Sequence, residues 1–164
     1  KKKIINNKNF FRVMPNMPAA IRKSMNCIVS TKGVTKAKQK EVAKLFENSG
    51  KTLFLKNENE IDMATAISGS GPGFVFNIID AMINAATKLG FEQKIANVLV
   101  SQTFKGSVDL FINGDLSAKD LVKKVATKGG TTEAGLNIMK KNKLHEIFVK
   151  LTRESYKRAK FQGK

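Results

Sequence analysis

Gly73-Phe74-Val75-Phe76-Asn77-Ile78-Ile79-Asp80-Ala81-Met82-Ile83-Asn84-Ala85-Ala86-Thr87-Lys88 is the stretch whose reading decides the fold. Phe74, Ile78, Met82 and Ala85 recur at the helical period, and Ile79, Ile83 and Ala86 widen the stripe. Leu89-Gly90 ends that helix. A second long helix is expected from Glu92 to Ile112, with Ile95, Val98, Leu99, Gln102, Val108 and Phe111 spaced for burial and Asn113-Gly114 as its stop. Stripes this broad on two long helices call for burial on more than one side. In so small a domain the covering surface is expected to be another copy of the chain.

Outward from this pair, the helical character extends in both directions. Glu60 to Ser68 reads as a helix that breaks at Gly69-Ser70-Gly71-Pro72. Downstream, Ser117 to Asp120 has the Ser-x-x-Asp form of a capping box and opens a short helix through Val125. Thr132 to Lys140 and Leu144 to about Phe161 complete the set. Before Asn57 the pattern changes to mixed α/β. Phe10 to Val13, Asn26 to Ser30 and Thr52 to Leu55 read as strands, and Pro15 and Pro18 stop the first. Between them a helix from Thr35 to Asn48 carries Val42, Leu45 and Phe46 on one face. A strand–helix–strand piece of this size cannot bury a sheet alone, so it reads as the tail of a larger α/β domain. The expected architecture is therefore mainly α: residues 58–164 form an all-helical domain, preceded by an α/β remnant over residues 1–57. No internal repeat is visible.

Composition narrows the function classes. An apolar content of 41% supports a real core and argues against wholesale disorder. No apolar run approaches membrane-spanning length, and Lys1-Lys2-Lys3-Ile4-Ile5-Asn6-Asn7-Lys8 lacks the apolar centre of a secretory signal. The first residue is not Met, which reads as a processed, trimmed or partial chain. Cys27 is the single cysteine, so no internal disulfide forms and a reducing cytoplasm is expected; its place in Cys27-Ile28-Val29 predicts a buried thiol. The net charge of +17 points toward nucleic acid, but its distribution argues otherwise. Lysine supplies nearly all the excess, the arginines are only Arg12, Arg22, Arg153 and Arg158, and the lysines are spread over every segment. The aromatic residues are nearly all Phe at core-like spacing. A compositionally biased surface is the preferred reading, with a basic nucleic-acid binder as the weakest of the functional alternatives. The single His, His145, lies in a late amphipathic helix and reads as a surface or packing residue, and no spacing of His, Cys, Asp or Glu suggests a metal site.

One loop carries a chemical signal. Val125-Ala126-Thr127-Lys128-Gly129-Gly130-Thr131-Thr132-Glu133-Ala134-Gly135-Leu136 puts paired glycines and threonines directly before a helix. Glycines let the backbone approach a ligand, and the helix start offers unpaired N–H groups at a positive dipole end. A small carboxylate suits such a site. The same pattern also serves as an ordinary turn and N-cap, with Thr132 supplying the capping hydroxyl.

With Arg12-Val13-Met14-Pro15-Asn16-Met17-Pro18-Ala19 and Ala66-Ile67-Ser68-Gly69-Ser70-Gly71-Pro72-Gly73-Phe74 upstream of it, this loop makes the chain resemble the C-terminal part of a pyrroline-5-carboxylate reductase, from about Phe11 to about Lys160. The resemblance implies the end of a Rossmann-type nucleotide-binding domain followed by a helical dimerisation domain. It also implies NAD(P)H-dependent reduction of a cyclic imine, 1-pyrroline-5-carboxylate, to proline, by a cytoplasmic homodimer or higher oligomer. Carried over by position, Thr127, Gly129, Gly130, Thr131 and Thr132 would hold the substrate carboxylate. Thr132 would reach the ring nitrogen as the catalytic hydroxyl, and Asn16 would face the nicotinamide. The turn at Ser68 to Pro72 would sit where the dimerisation helices begin. Lys128 and Met17 depart from the family pattern, which commonly has Pro and Thr there. No Gly-x-Gly-x-x-Gly follows a strand in this chain. NADPH or NADH is therefore expected in the complete enzyme, with no tight binding to this chain alone. A helical dimerisation module without catalysis is the alternative reading.

Overall fold

The computed structural model describes residues 9–162; the lysine-rich start, on which the signal-peptide reading rests, lies outside the described residues. The described chain divides into two compact units, Val75–Val149 and the residues on either side of that stretch.

The flanking unit holds a three-stranded sheet. β1 (Phe11–Met14) runs antiparallel to β2 (Ser24–Ser30), with Met14 opposite Cys27. β3 (Gly50–Phe54) lies parallel to β2 on its other edge, with Ile28 opposite Phe54. A parallel pair needs a crossover, and α1 (Lys36–Phe46) supplies it, with the Thr35 hydroxyl accepting the Lys38 N–H at 3.3 Å as N-cap. Central β2 is covered on both faces. Cys27 and Val29 pack with Ile61, flanked by Met14, Met25, Leu55 and Ala64. Asn26, on the opposite face, donates to the Ser49 hydroxyl at 2.9 Å beyond the end of α1. Gly50 starts β3 at φ +145, where a Cβ would stand 2.2 Å from the Ser24 carbonyl oxygen, so only glycine fits.

α2 (Glu58–Ala64) is closed at its start by reciprocal capping. Asn57 Oδ1 accepts the Glu60 N–H at 3.0 Å, and the Glu60 carboxylate accepts the Lys56 N–H at 2.8 Å. The expected break at Gly69-Ser70-Gly71-Pro72 does not occur. One π-helical turn, Thr65–Gly69, absorbs an extra residue, and the Ser70 N–H reaches the Thr65 carbonyl at 2.8 Å. α3 (Gly71–Lys88) follows directly, and Pro72 sits in its first turn, where a missing N–H costs nothing. The joined helix Glu58–Lys88 has 31 residues and a most apolar window of mean hydropathy 1.2. It is thus long and apolar enough, by length and composition, to cross a membrane. That corrects the expectation of no such run, which counted its two halves separately. The second half of α7 (Leu144–Gln162) also belongs to this unit: Ala159 is buried and Tyr156 donates to Asn59 Oδ1.

Val75–Val149 comprises the rest of α3, α4 (Gln93–Asn113), α5 (Ala118–Val125), α6 (Thr131–Lys141) and the start of α7. The predicted cap of α5 forms, with Ser117 Oγ accepting the Asp120 N–H at 3.2 Å. Within the unit both long helices leave their apolar stripes open. Among the described residues of this unit only Ala96 and Val100 are buried, while Ile95, Val98, Leu99, Val108 and Phe111 stand 46–62% exposed. Met82 and Ala85 on α3 are exposed as well. The helical period is as predicted, but within the unit the chain folds no second layer over these faces.

Candidate functional site

The glycine loop begins where α5 stops, its last N–H bonds ending at Ala126, which turns extended. The Gly130 N–H donates to the Thr127 carbonyl at 3.0 Å, closing a turn with Gly129 at φ +73, a conformation that glycine adopts without strain. Gly130 then turns extended as the N-cap of α6. A Cβ on Gly130 would lie 2.5 Å from Thr127 Oγ1, so the glycine is what lets Thr127 fold over the loop. Thr127, Gly129, Gly130, Thr131 and Thr132 therefore share one turn of chain at a helix start.

The reading of Thr132 as a capping hydroxyl is not the one the chain adopts. Gly130 is the N-cap and makes no side-chain cap, while Thr132 sits at the second helical position, half-buried. Among the described residues its hydroxyl has no hydrogen-bond partner. The N–H groups of Thr131 and Thr132 belong to the first helical turn and have no intrahelical acceptor. Two amide donors and one hydroxyl thus lie on adjacent residues at the positive end of α6, a setting that suits a small anion.

A participant that the sequence reading did not single out is Glu133. Its Oε2 accepts the Gly129 N–H at 2.7 Å, reaching back from the third helical position as Glu60 does at α2. The signal was present: a glutamate three residues after the N-cap is the acidic half of a capping box, here with glycine in place of Ser or Thr. Lys128 is exposed and, among the described residues, forms no ion pair.

Asn16 belongs to the sheet-bearing unit and acts as a brace there. Its Nδ2 donates to the Ser68 carbonyl at 3.0 Å, its Oδ1 accepts the Met25 N–H at 3.0 Å, and its own N–H donates to Ser24 Oγ at 3.1 Å. The Ser68 carbonyl lies within the π turn, whose stretched ladder frees acceptors for such contacts. One Nδ2 hydrogen remains unspent. Met17 is 71% exposed at the start of the 3-10 turn Met17–Ile21. Cys27 is a free, buried thiol, as expected, 3.7 Å from Ser68 Oγ. His145 is exposed and lines an apolar hollow with Leu136, Met139 and Leu144. Among the described residues no three His, Cys, Asp or Glu side chains gather as a metal site. The Asp120 carboxyl is held below the ordinary aspartate value by the Ser117 hydroxyl first and then by Lys123.

Comparison with known proteins places this geometry in context. The family profile described as pyrroline-5-carboxylate reductase dimerisation matches residues 58–161. Pyrroline-5-carboxylate reductase 2 of Bacillus subtilis is 35% identical over 148 residues, covering 90% of this chain and 53% of that protein. The Pseudomonas aeruginosa pyrroline-5-carboxylate reductase is 33% identical over 131 residues, covering 80% of this chain and 48% of that protein. Among solved structures, a Coxiella burnetii pyrroline-5-carboxylate reductase superposes with a TM-score of 0.89 at 29% identity, covering 93% of this chain and 56% of that one. The Plasmodium falciparum pyrroline carboxylate reductase, solved with NADP bound, gives 0.87 at 30% identity, covering 94% of this chain and 63% of that one. The chain spans about half the length of the curated relatives it matches.

Proposed function

The chain belongs to the pyrroline-5-carboxylate reductase family, and from that premise we propose that it supplies the substrate loop and the dimer of an imine reductase that makes proline from 1-pyrroline-5-carboxylate. The observation that carries this reading is the unpartnered Thr132 hydroxyl beside the free Thr131 and Thr132 amides at the start of α6. In this reading residues 58–164 are the dimerisation and substrate-loop domain, and residues 1–57 are the C-terminal remnant of a dinucleotide-binding domain. The family match over residues 58–161 and the short sheet upstream support that division. The exposed apolar faces of α3 and α4 support self-association as a homodimer, and a single buried cysteine suits a reducing cytoplasm.

The substrate carboxylate would take the Thr131 and Thr132 amides, backed by the dipole of α6, with Thr127, Gly129 and Gly130 shaping the loop beneath it. Fixing that carboxylate orients the ring, which is most of what an imine needs before reduction. The Thr132 hydroxyl would then meet the ring nitrogen and hold the proton that nitrogen gains.

NADPH or NADH, as hydride donor, would supply the reducing electrons when bound. The residues present fit that group poorly: the chain has no Gly-x-Gly-x-x-Gly after a strand, and Asn16 has one amide hydrogen left to offer a nicotinamide. Tight cofactor binding to this chain alone is not expected.

The test is L-proline binding and sedimentation of the 164-residue chain, with Thr132→Ala alongside, followed by NADPH oxidation with and without pyrroline-5-carboxylate. A dimer that binds proline through Thr132 supports the reading. A dimer that neither binds proline nor turns over is a non-catalytic dimerisation module. A monomer that binds nothing overturns both.

A further inference from the structure

The contact between Glu133 and Gly129 has a consequence for the proposed site, and the inference rests on that site's reading. Glu133 is half-buried at the third position of α6, and its carboxylate accepts the Gly129 N–H at 2.7 Å. A carboxylate is the ligand this loop is proposed to hold. The chain therefore carries one of its own, on the same turn as the Thr131 and Thr132 donors. Of the amides in the loop, that of Gly129 is taken by Glu133 and that of Gly130 by the Thr127 carbonyl.

We infer that Glu133 weakens carboxylate binding through its charge: its carboxylate holds the Gly129 N–H and leaves the Thr131 and Thr132 donors open, so an incoming carboxylate binds them against that charge. The positive end of α6 attracts both anions, but two carboxylates within one helical turn repel each other. Glu133 thus sets a ceiling on affinity for the carboxylate end of the ligand. The same bond helps to hold Gly129 at φ +73, so Glu133 also keeps the loop folded. At α2 the same reach-back, Glu60 to the Lys56 N–H, accompanies a true side-chain cap from Asn57. At α6 the N-cap is Gly130, with no side chain to share the task, so the burden falls on Glu133 alone.

The experiment is titration of the full 164-residue chain with L-proline, read by calorimetry and by the Gly129 amide resonance in a 15N-labelled sample. Pyrrolidine, which has the ring and no carboxylate, is the reference ligand. Glu133→Gln keeps an acceptor for Gly129 and removes the charge; Glu60→Gln makes the same change at α2 and is the control. The expected result is proline binding about 5-fold tighter in Glu133→Gln, from one like charge removed at a few ångströms in a partly exposed site. Pyrrolidine affinity should not change, and Glu60→Gln should match the parent chain. Equal or weaker proline binding in Glu133→Gln overturns the inference while leaving the site reading intact. Failure of parent and variants alike to bind proline overturns the site reading, and the inference falls with it.

Discussion

In the sheet-bearing unit, Cys27, Ile28 and Val29 of β2 are at most 5% exposed, whereas Val98, Leu99, Val108 and Phe111 of α4 in Val75–Val149 stand 46–62% exposed. Both sets are apolar and both follow the period of their element. They differ in what the chain provides to cover them. β2 has α2 across one face and the end of α1 across the other, so its side chains are buried by their own chain. α4 presents two apolar sides and finds cover for Ala96 and Val100 only. The first unit covers its own apolar strand, the second leaves its apolar faces open, and the candidate loop sits in the second.

Substitutions of matched chemistry break or sharpen that contrast. Ile61→Ala removes a fully buried side chain from the cluster with Cys27 and Val29 and should lower stability by about 2–5 kcal/mol in denaturant unfolding. Leu99→Ala makes a similar deletion from an exposed position. It should leave unfolding at low protein concentration nearly unchanged, and equal losses in the two variants would erase the contrast. Thr132→Ala should cut imine reduction in an assembled enzyme by about 100-fold, the usual order for one donor to the reacting group, with circular dichroism unaltered. Full activity in that variant would remove Thr132 from the site. Val98→Lys places a charge on the uncovered face and should weaken self-association about 10- to 100-fold in sedimentation while the monomer keeps its helices. Unchanged association would place the partner surface elsewhere.

The smallest expected effect is at the α5 cap. Ser117→Ala should cost about 1 kcal/mol. The cap also carries a pH dependence. The Asp120 carboxyl is held below its ordinary value by Ser117 and Lys123, so its contribution is present above the unfolded value and disappears as pH falls through the folded one. Acid titration of the Ser117→Ala chain should show a smaller loss over that window than the parent, and an identical loss would detach Asp120 from the cap.

Much of this was legible in advance. Thr35, Ser117 and the period of α3 and α4 located helices because capping and amphipathicity are local. The loop from Thr127 to Thr132 was legible because glycine pairs and helix starts are local too. The π turn was not: Gly69-Ser70-Gly71-Pro72 reads as a break, and only the i to i−5 bond from Ser70 to Thr65 lets the helix continue. Nor was the release of the Thr132 hydroxyl, which depended on Gly130 taking the cap position.

The sequence by itself determined the elements, their order and the family, since these rest on residue type at fixed spacing. Tertiary structure alone decided which apolar faces the chain covers and that Asn16 braces the π turn. The physical reason is range: propensity, caps and period act within a few residues, whereas burial and the spending of each donor depend on what the folded chain brings alongside.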